Sequence, residues 1–375
     1  MGVWARLAVS VPAVSAASLS WAGEINLQPP VTAIAGQIYD MHTLMLVICL
    51  VIFIAVFGVM FWSIYAHRKS RGAVAAHFHE NTTVEIAWTI VPVLILLGMA
   101  YPATRTVIAM KDTSDPDITI KATGYQWKWG YDYLKGEGEG IRFVSALSTP
   151  QDQIDGRAEK GEHYLLEVDN PVVVPVGKKV RILTTANDVI HAWWVPAFGV
   201  KQDAIPGFIR DTWFRADEIG VYRGNCAELC GKDHGFMPIE VHVVSEADYT
   251  AWVAQQHALL AANVEDPAKQ WTLEELIARG EKVFGANCAA CHQANGQGVP
   301  PAFPPLDGAA IVLGPREAQI ETLLKGRPGT AMASFAGQLS DTDLAAVITY
   351  TRNAWSNSTG ELVEPVEIRA ARESN

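Results

Sequence analysis

Two long apolar runs stand out near the start of the chain. Residues 41–65 are almost wholly apolar, and a helix needs ~20 such residues to cross the hydrocarbon core of a bilayer. Residues 84–108 form a second run, interrupted by Pro92 and by Glu85 near its start. A buried core helix is the alternative for each run, but the lengths favour two transmembrane helices within residues 23–110.

A basic cluster, Arg68, Lys69 and Arg71, separates the two runs. Because cytoplasmic loops of membrane proteins are enriched in basic residues, this connection is predicted to be cytoplasmic and the chain after residue 110 to lie outside. Residues 1–22 agree with this topology, since they resemble a cleavable signal peptide. An uncleaved additional anchor is the alternative for that segment.

Short β-rich runs follow between Asp117 and Val244. Turn signals separate them, which is typical of a β-sandwich or barrel. The runs are residues 118–122, 163–168, 172–176, 179–183 and 239–244. We therefore assign residues 111–245 to an all-β domain, with residues 136–161 as a Gly- and charge-rich surface excursion.

Helical patterns return after residue 245. Residues 246–270 are predicted to be a helical connector that ends in a hinge at residues 264–268, because Pro267 cannot continue a helix. Residues 357–375 are polar and acidic, and we expect a poorly ordered tail.

Helix-capping signals place another helical domain at residues 271–356. Thr272 and Glu275 have the spacing of a capping box, and the helix that they open runs into Cys288. Ser340 is a second N-cap signal, opening a final helix through about Trp355. The domain is therefore predicted to be all-α.

The chain has a net charge of −11, and the part after residue 110 carries −12, because the first 110 residues have five Lys and Arg against four Asp and Glu. An acidic extramembrane part argues against nucleic acid as a partner and suits a basic protein partner. Solubility alone is an equally good reason for this charge.

Four of the five cysteines form two close pairs, and each pair is followed by a histidine. Cys49 lies in an apolar run, where packing is the ordinary role. Disulfide bonds are the alternative for the pairs, but neither resembles a framework spread through a small secreted domain. The paired cysteines are Cys226 with Cys230 and Cys288 with Cys291.

The run from Cys226 to Met237 places two thiols, the imidazole of His234 and a thioether between two predicted strands. Soft sulfur ligands with imidazole favour copper, zinc or an iron–sulfur cluster. Zinc has no need of a methionine, whereas a weak axial methionine is typical of copper sites. A second imidazole has to come from elsewhere, and His191 at a strand end is the candidate.

This loop resembles the dinuclear copper loop of cytochrome c oxidase subunit II. The likeness extends from the membrane hairpin through Gly124-Tyr-Gln-Trp-Lys-Trp129 and His191-Ala-Trp-Trp-Val-Pro to Met-Pro-Ile-Glu240, which covers most of residues 37–245. The resemblance implies a cupredoxin fold for the β domain. A quinol-oxidising relative keeps this fold but lacks the ligand residues.

The same resemblance implies a role for each matching residue. Cys226 and Cys230 would bridge two coppers, His191 and His234 would be terminal ligands, and Met237 and the Glu228 carbonyl would be weak axial ligands. The Glu228 side chain would help to bind magnesium at the contact with subunit I. Trp127 would receive electrons and Glu85 would mark the mouth of a proton channel in subunit I. Aromatic packing for Trp127 and a solvated carboxylate for Glu85 remain alternatives.

The second cysteine pair lies in Cys288-Ala-Ala-Cys291-His292, a haem c attachment pattern in which the thiols bind the haem covalently and His292 binds the iron. The surrounding helices resemble class I cytochrome c. Met332, in the loop before the last long helix, is the candidate sixth ligand, and Met/His ligation gives a high potential. A core methionine is the alternative.

Together these features predict subunit II of a respiratory oxidase in a bacterial inner membrane, with its soluble domains on the periplasmic side. Electrons would pass from cytochrome c or a bc1-type complex through haem c and the dinuclear copper to subunit I, among other oxidase subunits. Oxygen reduction and proton pumping would occur in subunit I, so this chain serves a proton-translocating oxidoreductase. The alternatives are a copper-containing nitric oxide reductase subunit and a membrane-anchored electron carrier; the hairpin weighs against nitrous oxide reductase.

Overall fold

The computed structural model describes residues 26–74, 77–262, 269–327 and 329–374, which divide into two compact units. The first unit comprises the chain through Asp112 together with Pro196–Val200, and the second comprises Thr113–Val195 and the chain from Lys201. The predicted signal peptide (1–22) and hinge (264–268) lie outside the described residues.

Two long helices form most of the first unit, α1 (Ala33–Ala66) and α2 (Thr82–Lys111). Each begins at a side-chain cap, because Thr32 accepts from an amide of α1 and Asn81 accepts from an amide of α2. Both helices are long and apolar enough to cross a membrane, and the most apolar stretch of each is unburied. The helices are longer than the predicted runs, because the caps lie outside the apolar residues.

Ten strands and one short helix form the β part of the second unit. They are β1 (Ile118–Tyr125), β2 (Lys128–Lys135), β3 (Arg142–Ser145), α3 (Gln151–Ile154), β4 (Val172–Pro175), β5 (Val180–Ala186), β6 (His191–Val195), β7 (Val200–Ala204), β8 (Arg210–Phe214), β9 (Gly220–Cys226) and β10 (Pro238–Val244). The first sheet has the order β3-β2-β1-β5-β8 and the second β4-β10-β9-β6-β7. The β1–β5 and β4–β10 pairs are parallel.

Alternating burial along the strands builds the core between these sheets. In β5, Val180, Ile182 and Thr184 are fully buried while the residues between them are partly exposed, which is the period of two that a strand dictates. Trp129 and Trp193 add the largest fully buried side chains.

Two local expectations for this region are wrong. Residues 163–168 form turns, with one isolated bridge between Val168 and Leu147, because the run finds no neighbouring strand along its length. Residues 136–161 are not wholly a surface excursion, since β3 lies within them and pairs with β2, and Ile141 is 1% exposed.

Helix α4 (Glu246–Ala262) follows the sheets, as predicted for the connector. Trp252 lies 5.5 Å from Tyr133 and 5.9 Å from Tyr249, measured between ring centroids. Phe143 also packs against Trp252. This aromatic cluster, Tyr133, Phe143, Tyr249 and Trp252, fixes the start of α4 to the β domain.

The described residues from 269 onward form six helices: α5 (Leu273–Asn287), α6 (Ala289–His292), α7 (Ala310–Leu313), α8 (Arg316–Lys325), α9 (Asp341–Asn353) and α10 (Pro365–Glu373). Thr272 and Glu275 form the predicted capping box of α5, and Ser340 caps α9. Helices α5 and α9 cross closely at Gly280, where an added Cβ would lie 2.1 Å from the Ala346 carbonyl oxygen. Only glycine permits this crossing.

The prediction of a poorly ordered tail is wrong, because residues 357–375 contain α10. Val363 and Ile368 are fully buried in the same core as Phe284, Leu344 and Ile348. A capping box between Glu364 and Glu367 opens the helix. The sequence does not predict this helix, because the two buried apolar side chains are far apart and charged residues lie between them.

Candidate metal and haem sites

The loop between β9 and β10 brings the first cysteine pair together. Cys226 is the last residue of β9, and its amide donates to the Met237 carbonyl across the base of the loop at 3.0 Å. The sulfur atoms of Cys226 and Cys230 lie 3.8 Å apart, and both cysteines are free and buried. The two strands therefore hold a pair of reduced thiols face to face.

Both predicted histidines lie beside these thiols. His191, the first residue of β6, is fully buried, and its Nδ1 lies 3.9 Å from Cys226 Sγ. The ligand atoms of His191, Cys226 and Cys230 all lie within 4.8 Å of one another. His234 Nδ1 lies 3.4 Å from Cys230 Sγ. One imidazole thus adjoins each thiol.

The two predicted axial donors occupy the same loop. The Glu228 carbonyl oxygen lies 3.3 Å from Cys226 Sγ, while the residue itself is exposed. Met237 is 1% exposed and immediately precedes β10. The structure brings these residues to the loop of the thiols, with one oxygen close to a sulfur.

Asp188 was missed in the sequence, and it orients the buried histidine. Its carboxylate accepts a hydrogen bond from His191 Nε2 at 2.8 Å and another from the Gln126 amide at 2.7 Å. The bond to Nε2 leaves Nδ1 as the lone-pair nitrogen that faces Cys226. A carboxylate three residues before a candidate ligand, in the same turn, was the available signal.

The charges of this cluster are strongly coupled. A hydrogen bond from the Cys230 thiol lowers the pKa of Cys226 far below its usual value, and the same bond together with burial raises the pKa of Cys230. Burial would lower the pKa of His191, but Asp188 and Cys226 outweigh it, so this pKa is raised. One thiolate is therefore ready for a metal, and the second proton is displaced when the metal binds.

A glycine on β1 makes room for the buried imidazole. A Cβ added at Gly124 would lie 2.6 Å from the His191 Cδ2 atom, which real contacts do not allow. On the adjoining strand, Trp129 contacts the His191 ring edge-on at 6.0 Å between centroids. The position of His191 is thus set by packing as well as by Asp188.

Trp127 donates a hydrogen bond to a predicted ligand residue. Its indole Nε1 donates to the Cys230 carbonyl at 3.1 Å, and the Gln126 side chain donates to the same oxygen at 2.8 Å. Gly231, with φ at +120°, follows Cys230 and leaves space for the Trp127 ring. This indole therefore does more than pack, because it is coupled by a hydrogen bond to the loop.

These donors fit a thiolate-bridged metal. Zinc–thiolate bonds are about 2.3 Å long, so two sulfurs 3.8 Å apart can both reach one metal ion of similar size. Two soft thiolates, two imidazoles and a buried thioether are the donor types that copper prefers. The chemistry of the donor set agrees with the predicted centre.

The two carboxylates expected to face subunit I have different surroundings. The Glu228 residue is exposed, as a shared ligand would have to be in the separate chain. Glu85 Oε1 accepts from the Asn81 amide at 3.3 Å and thereby supports the first turn of α2. A capping role explains Glu85 without a proton channel, so both interpretations stand.

The second cysteine pair lies where α5 meets α6. Cys288 ends α5, while Cys291 and His292 lie on α6. His292 Nδ1 donates to the Pro304 carbonyl at 2.9 Å, which leaves Nε2 free for an iron, and burial lowers the pKa of this imidazole. Both thiols are free. The set suits covalent haem attachment with a neutral, oriented histidine.

The Met332 loop lies against the same helical core. Met332 and Cys288 both pack on the cluster formed by α5, α8, α9 and the chain around α10. The loop is closed by a hydrogen bond from the Arg327 amide to the Met332 carbonyl at 2.7 Å. A second bond joins the Phe335 amide to the Leu323 carbonyl at 2.8 Å. The methionine is thereby held against this core.

Comparisons with known proteins agree with this geometry. The family described as "Cytochrome C oxidase subunit II, periplasmic domain" matches residues 118–244, and its transmembrane-domain counterpart matches residues 20–105. The family "Cytochrome c" matches residues 277–355. Cytochrome c oxidase subunit 2 of Cereibacter sphaeroides is 40% identical over 246 residues, covering 62% of this chain and 80% of that protein. The chain belongs to the cytochrome c oxidase subunit 2 family.

Two further similar proteins are a curated relative and a solved domain. Cytochrome c oxidase subunit 2 of Cyanidium caldarium is 39% identical, covering 61% of this chain and 89% of that protein. The solved periplasmic domain of subunit II of cytochrome oxidase from Bradyrhizobium japonicum is 46% identical, with a TM-score of 0.35 over 39% of this chain and 98% of that one.

Membership in the subunit 2 family confirms the predicted fold class, a two-helix hairpin, a cupredoxin-like β domain and a helical cytochrome c domain. It also implies copper and haem as cofactors. The hairpin fits a membrane-anchored subunit II.

Proposed function

We propose that this chain carries electrons from an external donor through haem c and a dinuclear copper centre to subunit I of an oxidase that reduces oxygen to water. The single observation that carries the proposal is the pair of free, buried thiols at 3.8 Å with an imidazole beside each one. When bound, the copper pair and the haem iron each gain and lose one electron at a time.

The protein's part in this function is to hold its ligands still. Cys226, Cys230, His191, His234 and Met237, together with the Glu228 carbonyl, would hold the copper pair. The hydrogen bond from the Cys226 amide to the Met237 carbonyl and the hydrogen bond between Asp188 and His191 keep these residues in place before and after each electron passes. A rigid cage lowers the reorganisation that accompanies electron transfer.

The helical domain has the corresponding role for haem. Cys288 and Cys291 would attach it covalently, and His292 and Met332 would bind its iron. The Pro304 carbonyl orients His292, as Asp188 orients His191. Such ligation gives a potential suited to a late step of a respiratory chain.

The remaining assignments concern the assembled complex. The exposed Glu228 side chain is a magnesium ligand shared with subunit I, and Trp127 couples the surface to the copper loop through Cys230. Glu85 marks a proton channel mouth in subunit I. The soluble domains lie on the periplasmic side of a bacterial inner membrane, where cytochrome c or a bc1-type complex delivers electrons.

Metal analysis of the purified complex tests the copper assignment. We expect two coppers for each haem c in this chain, and Cys226→Ser should remove or alter the mixed-valence copper signal while leaving the haem spectrum intact. Cys49→Ser is the matched control, because that cysteine lies on α1, outside both sites. Zinc, a single copper, or an unchanged copper spectrum in Cys226→Ser would refute the assignment.

Turnover separates the oxidase from a nitric oxide reductase. The complex supplied with a reduced cytochrome and oxygen should consume oxygen and release no nitrous oxide when nitric oxide replaces oxygen. Turnover of nitric oxide without oxygen consumption would identify the reductase instead. An active chain that purifies without large apolar subunits would identify a separate electron carrier.

A further inference from the structure

The described part of the β domain donates hydrogen bonds to the helical domain from three side chains that lie close in sequence to the copper ligands or to Trp127. Lys128 Nζ donates to the Asn287 side-chain oxygen at 2.5 Å, and Lys232 Nζ donates to the Ala290 carbonyl at 3.1 Å. Asn187 Nδ2 donates to the Ser334 carbonyl at 3.1 Å. We call Asn187, Lys128 and Lys232 the docking triad.

Each member of the triad lies next to a residue of the copper site. Lys128 follows Trp127, Lys232 lies two residues after Cys230, and Asn187 precedes Asp188. The loops are further tied together, because Trp127 donates to the Cys230 carbonyl. The three residues of the triad therefore lie around the contact between Trp127 and the copper loop.

On the helical domain, the acceptors of these hydrogen bonds lie next to the haem-binding residues. Asn287 precedes Cys288, and Ala290 lies between the two haem-attaching cysteines. Each lysine thus bonds a residue adjacent to one haem-attaching cysteine, and the bond to Ser334 reaches the loop of Met332.

The first lysine of the triad is buried at this contact. Lys128 is 7% exposed, although a lysine ammonium is seldom buried without a partner. Its partner is Asn287, the last residue of α5, where the negative end of the helix dipole favours a cation. The acceptors are an amide oxygen and carbonyls, so the match does not require carboxylates.

We propose that the docking triad holds the haem motif of this chain's own cytochrome domain against the surface around Trp127. This contact excludes a second, soluble cytochrome from the same surface. The inference rests on the proposed function, in which an external donor reduces haem c and one electron then passes from the haem to the copper pair, and it adds the residues that hold the two sites together. Because the domains are tethered, three modest contacts suffice to keep them together.

Amine acylation in the intact, purified complex tests the docking without any electron transfer. Lys128 should be protected in the wild type and become about tenfold more reactive in Asn187→Ala/Lys232→Gln, where two contacts are lost. Lys178→Gln is the matched control, since this exposed lysine pairs with Glu246 away from the triad. Equal protection of Lys128 in the double variant would overturn the proposal.

Electron transfer from haem c to copper gives the second readout, after flash reduction of the haem by a ruthenium photoreductant. Lys232→Gln should slow this step about tenfold with unchanged haem and copper spectra, and Lys232→Arg should restore it in part. A Lys232→Gln rate equal to wild type overturns the docking alone. Absence of any transfer from haem c to copper in the wild type overturns the proposed function as well.

Discussion

Asp188 accepts a hydrogen bond from His191 Nε2 at 2.8 Å, so the other ring nitrogen of this buried histidine faces the Cys226 sulfur. The carboxylate therefore decides which tautomer the histidine adopts. The same carboxylate accepts from the Gln126 amide, next to Trp127, so the position of the ligand is linked to that of the surface aromatic.

Replacing Asp188 should weaken the metal site without removing a ligand. We expect Asp188→Asn to lower copper affinity about 10- to 100-fold, because an amide no longer fixes the imidazole as a carboxylate does. Competition with a copper chelator measures this. Asp155→Asn is the control, since Asp155 makes a surface ion pair with Arg157. Wild-type copper affinity in Asp188→Asn would contradict the orienting role.

Gly124 should not tolerate even one methyl group. In Gly124→Ala the new Cβ would overlap the His191 ring, so we expect copper to be lost and the β domain to be destabilised by about 1–3 kcal/mol. Copper content and denaturant unfolding of the complex give the result. Gly235→Ala is the matched control, because nothing lies within 4 Å of a Cβ there. If both variants retain copper equally, the packing argument fails.

Met332 should be needed for the haem and not for copper. Met332→Ala is expected to abolish the methionine–iron absorption band while the copper signal persists. Met237→Ala is the reciprocal control, since it should alter the copper signal and leave the haem band. A persistent band in Met332→Ala would mean that another residue binds the iron.

Helix α10 should stabilise the cytochrome domain. Ile368→Ala removes a fully buried side chain, and such truncations cost about 2–5 kcal/mol of unfolding free energy. Val366→Ala on the same helix is the control, because Val366 is 63% exposed. Thermal unfolding followed at the haem absorption compares the two variants. Equal unfolding temperatures would show that α10 adds nothing to the core.

Local chemistry explains which elements could be predicted from the sequence. The caps at Thr272 and Ser340 depend on side chains within three residues of one another, so their spacing alone indicates where the helices begin. Strand pairing is non-local, and residues 163–168 have strand composition but lack a partner strand. Helix α10 forms because Ile368 meets a core built by distant residues.

The site divides along the same line. Most of the predicted metal-ligating groups lie in one stretch, from Cys226 to Met237, so their spacing indicates a metal site. The roles of Asp188 and of Lys128 depend on which loops the fold brings together. No sequence pattern marks a lysine as buried against another domain, and only the three-dimensional arrangement pairs it with Asn287.

The aromatic cluster around Trp252 has a consequence for the range of the haem. That cluster fixes the start of α4 to the β domain, and the cap Thr272 comes ten residues after the end of α4 at Ala262. A chain of that length spans at most about 35 Å. An undocked haem would still be confined near its own copper at a local concentration on the order of millimolar, which a freely diffusing carrier would have to match.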